Sequence, residues 1–344
     1  MVCMGTFLGM LVRIGAGVGI FLYGLHLISS YLEELAGPTV ERSLRRFTAN
    51  PWIGALTGTV ITALVQSSTA VTVMTVNLVD KGLMTLEQAV GVILGANVGT
   101  AGTGVMAALP IRSLAPLFLA GGALLVLAAA TAGKLPDGAR GKQNCRRNAL
   151  PARMKLVGAL AMGMGMLLLG MELMQEAMTP YRSSPVLARL MTGLKFPVTG
   201  VLGGAVFTAL IQSSSASVAI LQSMAAEGLV GLEQSAYIVY GQNIGTCLTA
   251  LWASVGLSPS ARSCARLHLL INLLGTGIFL AAGRVVPLTA WVGSWTPGHP
   301  ALQVANLHLF FNLASTLLLL PFSGALVRIA GDTHFPKNSS LHFE

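Results

Sequence analysis

The stretch T-A-L-V-Q-S-S-T-A at residues 62–70 returns as T-A-L-I-Q-S-S-S-A at residues 208–216, an offset of 146 positions. The likeness extends well beyond these nine residues. Residues 54–107 align with 200–253 without a gap, and 22 of the 54 positions are identical, too many for a shared local motif. G-L-M-T-L-E-Q (82–88) matches G-L-V-G-L-E-Q (228–234), and G-A-N-V-G-T (95–100) matches G-Q-N-I-G-T (241–246). The same offset places Gly24 on Gly170. A chain built from two related halves is the usual plan of a membrane carrier.

Composition sets the solvent. Of the 344 residues, 53% are hydrophobic and 10% charged, where a soluble domain carries about 25% charged residues. Apolar runs at 8–31, 113–132, 156–174, 264–283 and 301–323 approach the ~20 residues that cross a ~30 Å hydrocarbon core. The first run lacks a basic leading region and a small-residue cleavage site, so it reads as a span and not a signal peptide. The net charge of +9 reads as cytoplasmic loop charge, not as nucleic-acid binding. Four scattered cysteines give neither a disulfide framework nor a metal site, and no resident cofactor is expected.

The expected fold is an all-α polytopic membrane protein with two inverted-topology repeats, each carrying a re-entrant helical hairpin. Repeat 1 covers 8–132 with its hairpin at 52–79. A basic cytoplasmic linker covers 133–154. Repeat 2 covers 155–283 with its hairpin at 198–226, and 301–323 adds a further helix. Each half opens on a spanning helix (8–31; 155–178) and a charged amphipathic connector (32–50; 179–197). After the hairpin come a glycine-interrupted segment (86–108; 232–254) and another spanning helix (113–132; 264–283).

The Gln-Ser-Ser segments could also be single helices of about 40 Å, and charge chooses between the two forms. With hairpins, each half crosses three times, so the second half is inverted. Lys81, Arg42, Arg45, Arg46, the 134–155 cluster, Arg262, Arg266, Arg328 and Lys337 then share one side, 15 of the 21 Lys and Arg residues. Arg13, Arg112, Arg182, Arg189, Lys195 and Arg284 lie on the other. The positive-inside rule makes the first side cytoplasmic, with the N-terminus outside and the C-terminus inside a cell membrane.

Polar side chains at membrane depth are costly and call for a reason. A single Ser pair would be helix–helix glue. Here Gln66, Ser67, Ser68 and Thr69 recur as Gln212, Ser213, Ser214 and Ser215. At a hairpin tip a new helix begins, with free N–H groups and a partial positive end. Two such tips facing across a two-fold axis make an oxyanion site near the midplane. The Gln carboxamides both donate and accept, so the same residues can meet an anion and a cation. No Lys or Arg lies in these segments, which fits a co-transported cation.

Asn97 with Thr100, and Asn243 with Thr246, form a second duplicated set. The flanking Gly95, Gly99, Gly241 and Gly245 suggest unwound helix exposing carbonyls, the alternative being a tight helix crossing with a satisfied Asn. Thr62 and Thr208, one turn before each Gln, line the site or back-bond to their own helices. His268 with Asn272 and His308 with Asn312, each at i+4, read as interhelical hydrogen bonds more readily than as a proton relay. An enzyme is not expected: the hydroxyl motifs have no adjacent His or Lys, and a nucleophile would not be duplicated symmetrically.

These residues carry a family resemblance. The doubled Q-S-S-[ST]-A, the G-x-N-[VI]-G-T blocks and the L-H-x-x-x-N helices resemble the Na⁺/phosphate cotransporter family, over about residues 8–325. The resemblance implies Na⁺-coupled symport of inorganic phosphate by alternating access, with Na⁺ as the coupling ion. It places Gln66, Ser67, Ser68, Thr69, Gln212, Ser213, Ser214 and Ser215 on phosphate. Thr62, Asn97, Thr100, Thr208, Asn243 and Thr246 would bind Na⁺ or line the site. Thr69 stands where that family commonly has Ser and keeps the hydroxyl. Transport of another oxyanion (sulfate, arsenate) and a non-transporting phosphate receptor are the alternatives.

Overall fold

The computed structural model describes residues 2–46, 48, 50–132 and 145–331. The described residues are helical, without strands. In chain order the helices are α1 Val2–Arg46, α2 Pro51–Val65, α3 Ser68–Asp80, α4 Leu86–Ala108, α5 Ala115–Ala132, α6 Cys145–Met178 and α7 Pro185–Gly193. There follow α8 Pro197–Ile211, α9 Ser214–Ala226, α10 Leu232–Ala253, α11 Pro259–Ala282, α12 Leu288–Gly293, α13 Pro300–Leu319 and α14 Ser323–Ala330. Among the described residues, six helical stretches are long and apolar enough to cross a membrane: Leu8–Leu32, Leu86–Ala108, Arg112–Ala132, Leu150–Tyr181, Pro259–Ala282 and Pro300–Ala330. The chain is an all-α polytopic membrane protein.

Several expected boundaries move. The first connector is no separate element, because α1 runs on through it to Arg46. Of the basic linker, residues 133–144 lie outside the described residues, and 145–154 form the opening turns of α6.

Both Gln-Ser-Ser segments are broken helices. α2 and α8 are 15 residues each, α3 and α9 are 13 each, and every boundary is displaced by the same 146 positions. At 1.5 Å per residue these pieces are only about 20–22 Å long, too short to cross a bilayer core singly. Leu56, Val60 and Leu64 on α2 are exposed, as are Leu202, Val206 and Leu210 on α8. These i, i+4 stripes occupy equivalent positions in the two halves and suit contact with lipid tails.

Glycine contacts give the helix directions. A Cβ on Gly91 would meet the Pro51 carbonyl, one on Gly95 the Ala55 carbonyl, and one on Gly99 the Thr59 carbonyl and Thr62 side chain. Both numbers rise together, so α2 and α4 run parallel, backbone against backbone. The first turn of α4 lies beside the first turn of α2, so α3 carries the chain back to where α2 began. In the second half Gly241 meets Val201 and Gly245 meets Ala205, so α8 and α10 are parallel as well.

This packing corrects the expectation of unwound segments at 86–108 and 232–254. α4 and α10 are unbroken helices. Their glycines serve close approach, the small-residue packing of membrane helices. A side chain there would have to displace a backbone carbonyl. Gly95→Val and Gly241→Val are therefore expected to cost about 3 kcal/mol or more, read as loss of monodisperse protein in detergent. Gly102→Ala, where a Cβ meets nothing within 4 Å, is expected to leave the protein intact.

The crossing of α1 and α6 has its own pattern. Gly17 abuts Gly170, and Gly24 abuts Gly163. The pairing is antiparallel. Adding 146 to 17 and to 24 gives 163 and 170, so each contact is the other with its two members exchanged. α13 packs against α4, α9 and α10, and an aromatic cluster joins it to α10 and α11, where Phe311 meets Tyr240 at 4.8 Å and Phe279 at 4.9 Å between centroids.

Candidate functional site

Each broken helix turns on its glutamine. Gln66 caps α2 at φ 57°, ψ 22°, and Gln212 caps α8 at φ 55°, ψ 22°. They are the only non-glycine residues with positive φ among the described residues. Each backbone N–H closes the last turn, onto Thr62 O at 2.7 Å and Thr208 O at 2.8 Å. The following serine starts the return helix: Ser67 Oγ accepts from Ala70 N, and Ser213 Oγ from Ala216 N, both at 3.2 Å. As N-caps they accept one backbone proton each, which leaves their own O–H free to donate. The preceding first-turn N–H groups have no acceptor within the helix.

The two halves meet at one pocket. Ser68, Asn97 and Thr100 line it from the first half, Ser214, Asn243 and Thr246 from the second. These are three repeat-equivalent pairs. Gln242, Val218 and His308 complete the wall, and no Lys, Arg, Asp or Glu lines it. Thr100 Oγ1 donates to Ala96 O at 3.0 Å and Thr246 Oγ1 to Gln242 O at 2.9 Å. With their protons so used, both oxygens can only accept. Asn97 Nδ2 donates to Asn272 Oδ1 at 3.2 Å, across to α11. Asn243 Nδ2 instead donates to Val239 O of its own helix at 2.9 Å. Ser68 and Ser214 have hydroxyls uncommitted to the protein. The wall thus combines hydroxyl donors, helix N-termini and neutral oxygen acceptors, the group types from which oxyanion and hard-cation sites are built.

The other expected residues lie elsewhere. Ser215 lines an adjoining space with Thr100, Gln222 and Phe21. Gln66, Ser67, Thr69, Gln212 and Ser213 are not on the pocket wall. Gln66 is half-buried, donates its carboxamide N–H to Ala63 O, and keeps a buried Oε1 without a partner. The Gln212 side chain is exposed. Thr62 and Thr208 are buried but not on the wall either. Thr208 Oγ1 bonds Ser217 Oγ at 2.7 Å, bridging α8 to α9, whereas Thr62 Oγ1 has no partner.

The His–Asn pairs use backbone. Asn272 Nδ2 donates to His268 O, and Asn312 Nδ2 to His308 O, both at 2.9 Å. The expected interhelical bond exists at Asn272 through Asn97. The sequence does not single out Gln242 on this wall or Gln222 in the adjoining space. The signal for Gln242 was a difference between the halves, since it stands opposite Ala96 in an otherwise matched block.

A family model described as Na⁺/Pi-cotransporter matches residues 20–176 and 166–290. An "Uncharacterized protein YqeW" of Bacillus subtilis (strain 168) is 30% identical over 316 residues, 90% of this chain and 93% of the relative. The "Putative inorganic phosphate export protein YjbB" of Escherichia coli (strain K12) is 27% identical over 92% of this chain, which spans about half of that relative, 54%. "Sodium-dependent phosphate transport protein 2B" of Homo sapiens is 31% identical over 109 residues, 31% of this chain and 16% of the relative. No solved structure matches the chain at a significant level.

Proposed function

The chain belongs to the Na⁺/Pi-cotransporter family, and on that premise we propose that it carries inorganic phosphate across a cell membrane with Na⁺ as the coupling ion. The observation that carries this reading is the meeting of Ser68, Asn97 and Thr100 with Ser214, Asn243 and Thr246 in one pocket without a fixed charge. A phosphate anion buried at membrane depth among uncharged groups needs a compensating cation. No Lys or Arg supplies one, while the acceptor oxygens of Thr100, Thr246, Asn97 and Asn243 suit Na⁺.

The helix breaks act as re-entrant hairpins in this account. Their N-terminal turns, beginning at Ser68 and Ser214, point partial positive charge at the anion. The self-exchanging crossing of α1 and α6 supports an inverted pair of repeats, since equivalent helices there run antiparallel. The N-terminus lies outside and the C-terminus in the cytoplasm, an orientation that the positive-inside bias of the loops supports. Two inverted halves around one midplane site provide two related conformations, open to opposite sides, and hence alternating access.

Binding tests the site directly. Purified full-length protein in detergent is expected to bind radiolabelled phosphate in Na⁺ buffer and to lose at least about tenfold in affinity with K⁺ replacing Na⁺, the scale of one lost charge-assisted contact. Equal binding in both salts would remove Na⁺ from the site.

A further inference from the structure

Gln242 breaks the symmetry of the pocket, and its chemistry is fixed by its neighbours. It is 2% exposed and lines the pocket beside Ser214 and Asn243. Its Nε2 lies 3.0 Å from Ser217 O and 2.9 Å from Ser217 Oγ. A backbone carbonyl only accepts, so the nitrogen must face Ser217 and the carboxamide cannot be flipped. That leaves Oε1, which has no hydrogen-bond partner among the described residues. Its repeat counterpart, Ala96, has no such atom. His308 also lines the pocket with an unpartnered Nδ1, but an imidazole exchanges donor for acceptor by tautomerisation. Gln242 cannot.

An oriented acceptor on the wall of an anion site repels a bare anionic oxygen and welcomes a hydroxyl. We propose that Gln242 Oε1 reads the proton of the substrate, accepting a hydrogen bond from the P–OH of hydrogen phosphate. This inference rests on the phosphate reading above and adds the residue that sets its specificity. Hydrogen phosphate and hydrogen arsenate both carry the required hydroxyl at neutral pH, and sulfate carries none. A buried acceptor left unpaired against sulfate is a penalty as well as a lost bond. Gln242 is therefore a specificity-determining residue, positioned by Ser217.

Competition against radiolabelled phosphate, on full-length protein in Na⁺ buffer, tests this. Monofluorophosphate is the decisive competitor, because it keeps the tetrahedral shape and double charge of hydrogen phosphate and replaces the hydroxyl with fluorine. Unlabelled arsenate is expected to displace phosphate, while sulfate and monofluorophosphate need at least about tenfold higher concentrations. Gln242→Met, which keeps length and removes the acceptor, is expected to weaken phosphate and bring the phosphate-to-sulfate ratio towards one. Monofluorophosphate competing as well as phosphate would overturn the inference, as would a folded Gln242→Met protein with an unchanged ratio. A Gln242→Met protein that alters only the Na⁺ dependence would make Oε1 a cation ligand and overturn it too. Should that variant not fold, the wild-type competition series decides alone. A protein that binds no phosphate in Na⁺ would overturn the substrate reading itself. Phosphate binding lost equally to monofluorophosphate would overturn this inference only.

Discussion

Gln66→Gly and Gln212→Gly are each expected to keep the protein as stable as the parent, or up to about 1 kcal/mol more stable, while phosphate flux falls about a hundredfold. The opposite signs follow from the backbone. Both residues sit in the left-handed region, where a Cβ is strained and glycine is the ordinary occupant. We read a side chain at both positions, at that cost, as serving a purpose apart from ending a helix. Gln66 Oε1 is buried without a protein partner, and the Gln212 carboxamide is exposed at the equivalent break. Glycine retains the turn, the serine cap and the start of the return helix, and removes only the side chain, with the Gln66 bond to Ala63 O. Thermal unfolding in detergent reads the first effect, proteoliposome flux the second. Normal flux in both variants would reduce the glutamines to helix caps.

The second large effect separates two residues that the repeat makes look alike. Asn97→Leu is expected to lose both flux and stability, with about 1–3 kcal/mol lost from the fold. Asn243→Leu is expected to lose flux, about tenfold or more, with little change in stability. The difference lies in where each amide is committed. Asn97 donates to Asn272 across helices, and its loss strands a buried carbonyl oxygen on α11. Asn243 donates to its own helix at Val239, whose carbonyl keeps its helical partner when the side chain goes. Equal losses of stability in the two variants would contradict this assignment.

How much of this was legible in sequence depends on whether a feature is written in local spacing. The helix breaks were legible, because Gln-Ser-Ser interrupts two apolar segments at one offset and the loop charges favour hairpins over single helices. The role of Gly95 and Gly241 was not. A missing Cβ serves an unwound turn and a tight crossing equally well, and the deciding neighbours, Ala55 and Val201, lie about forty residues away in sequence. Gln242 does not stand out in sequence because comparing repeats rewards identity, and the role proposed for it lies in differing from Ala96. Its orientation depends on Ser217, whose own counterpart is Val71, so the whole device exists in one half only. The spread of the six glutamine, serine and threonine positions Gln66, Ser67, Thr69, Gln212, Ser213 and Ser215 away from the pocket wall was also hidden. Consecutive residues around a helix start point in different directions, and only Ser68 and Ser214 face the shared space.

The central claim is that one neutral pocket moves phosphate because Na⁺ moves with it, and gradient-driven flux tests it most directly. Proteoliposomes holding the full chain, given trace radiolabelled phosphate and an inward Na⁺ gradient, are expected to accumulate phosphate above its external concentration. The accumulated label should then leave when a Na⁺ ionophore collapses the gradient. Phosphate entry that stops at equal concentrations, or that proceeds unchanged with K⁺ in place of Na⁺, would contradict the account.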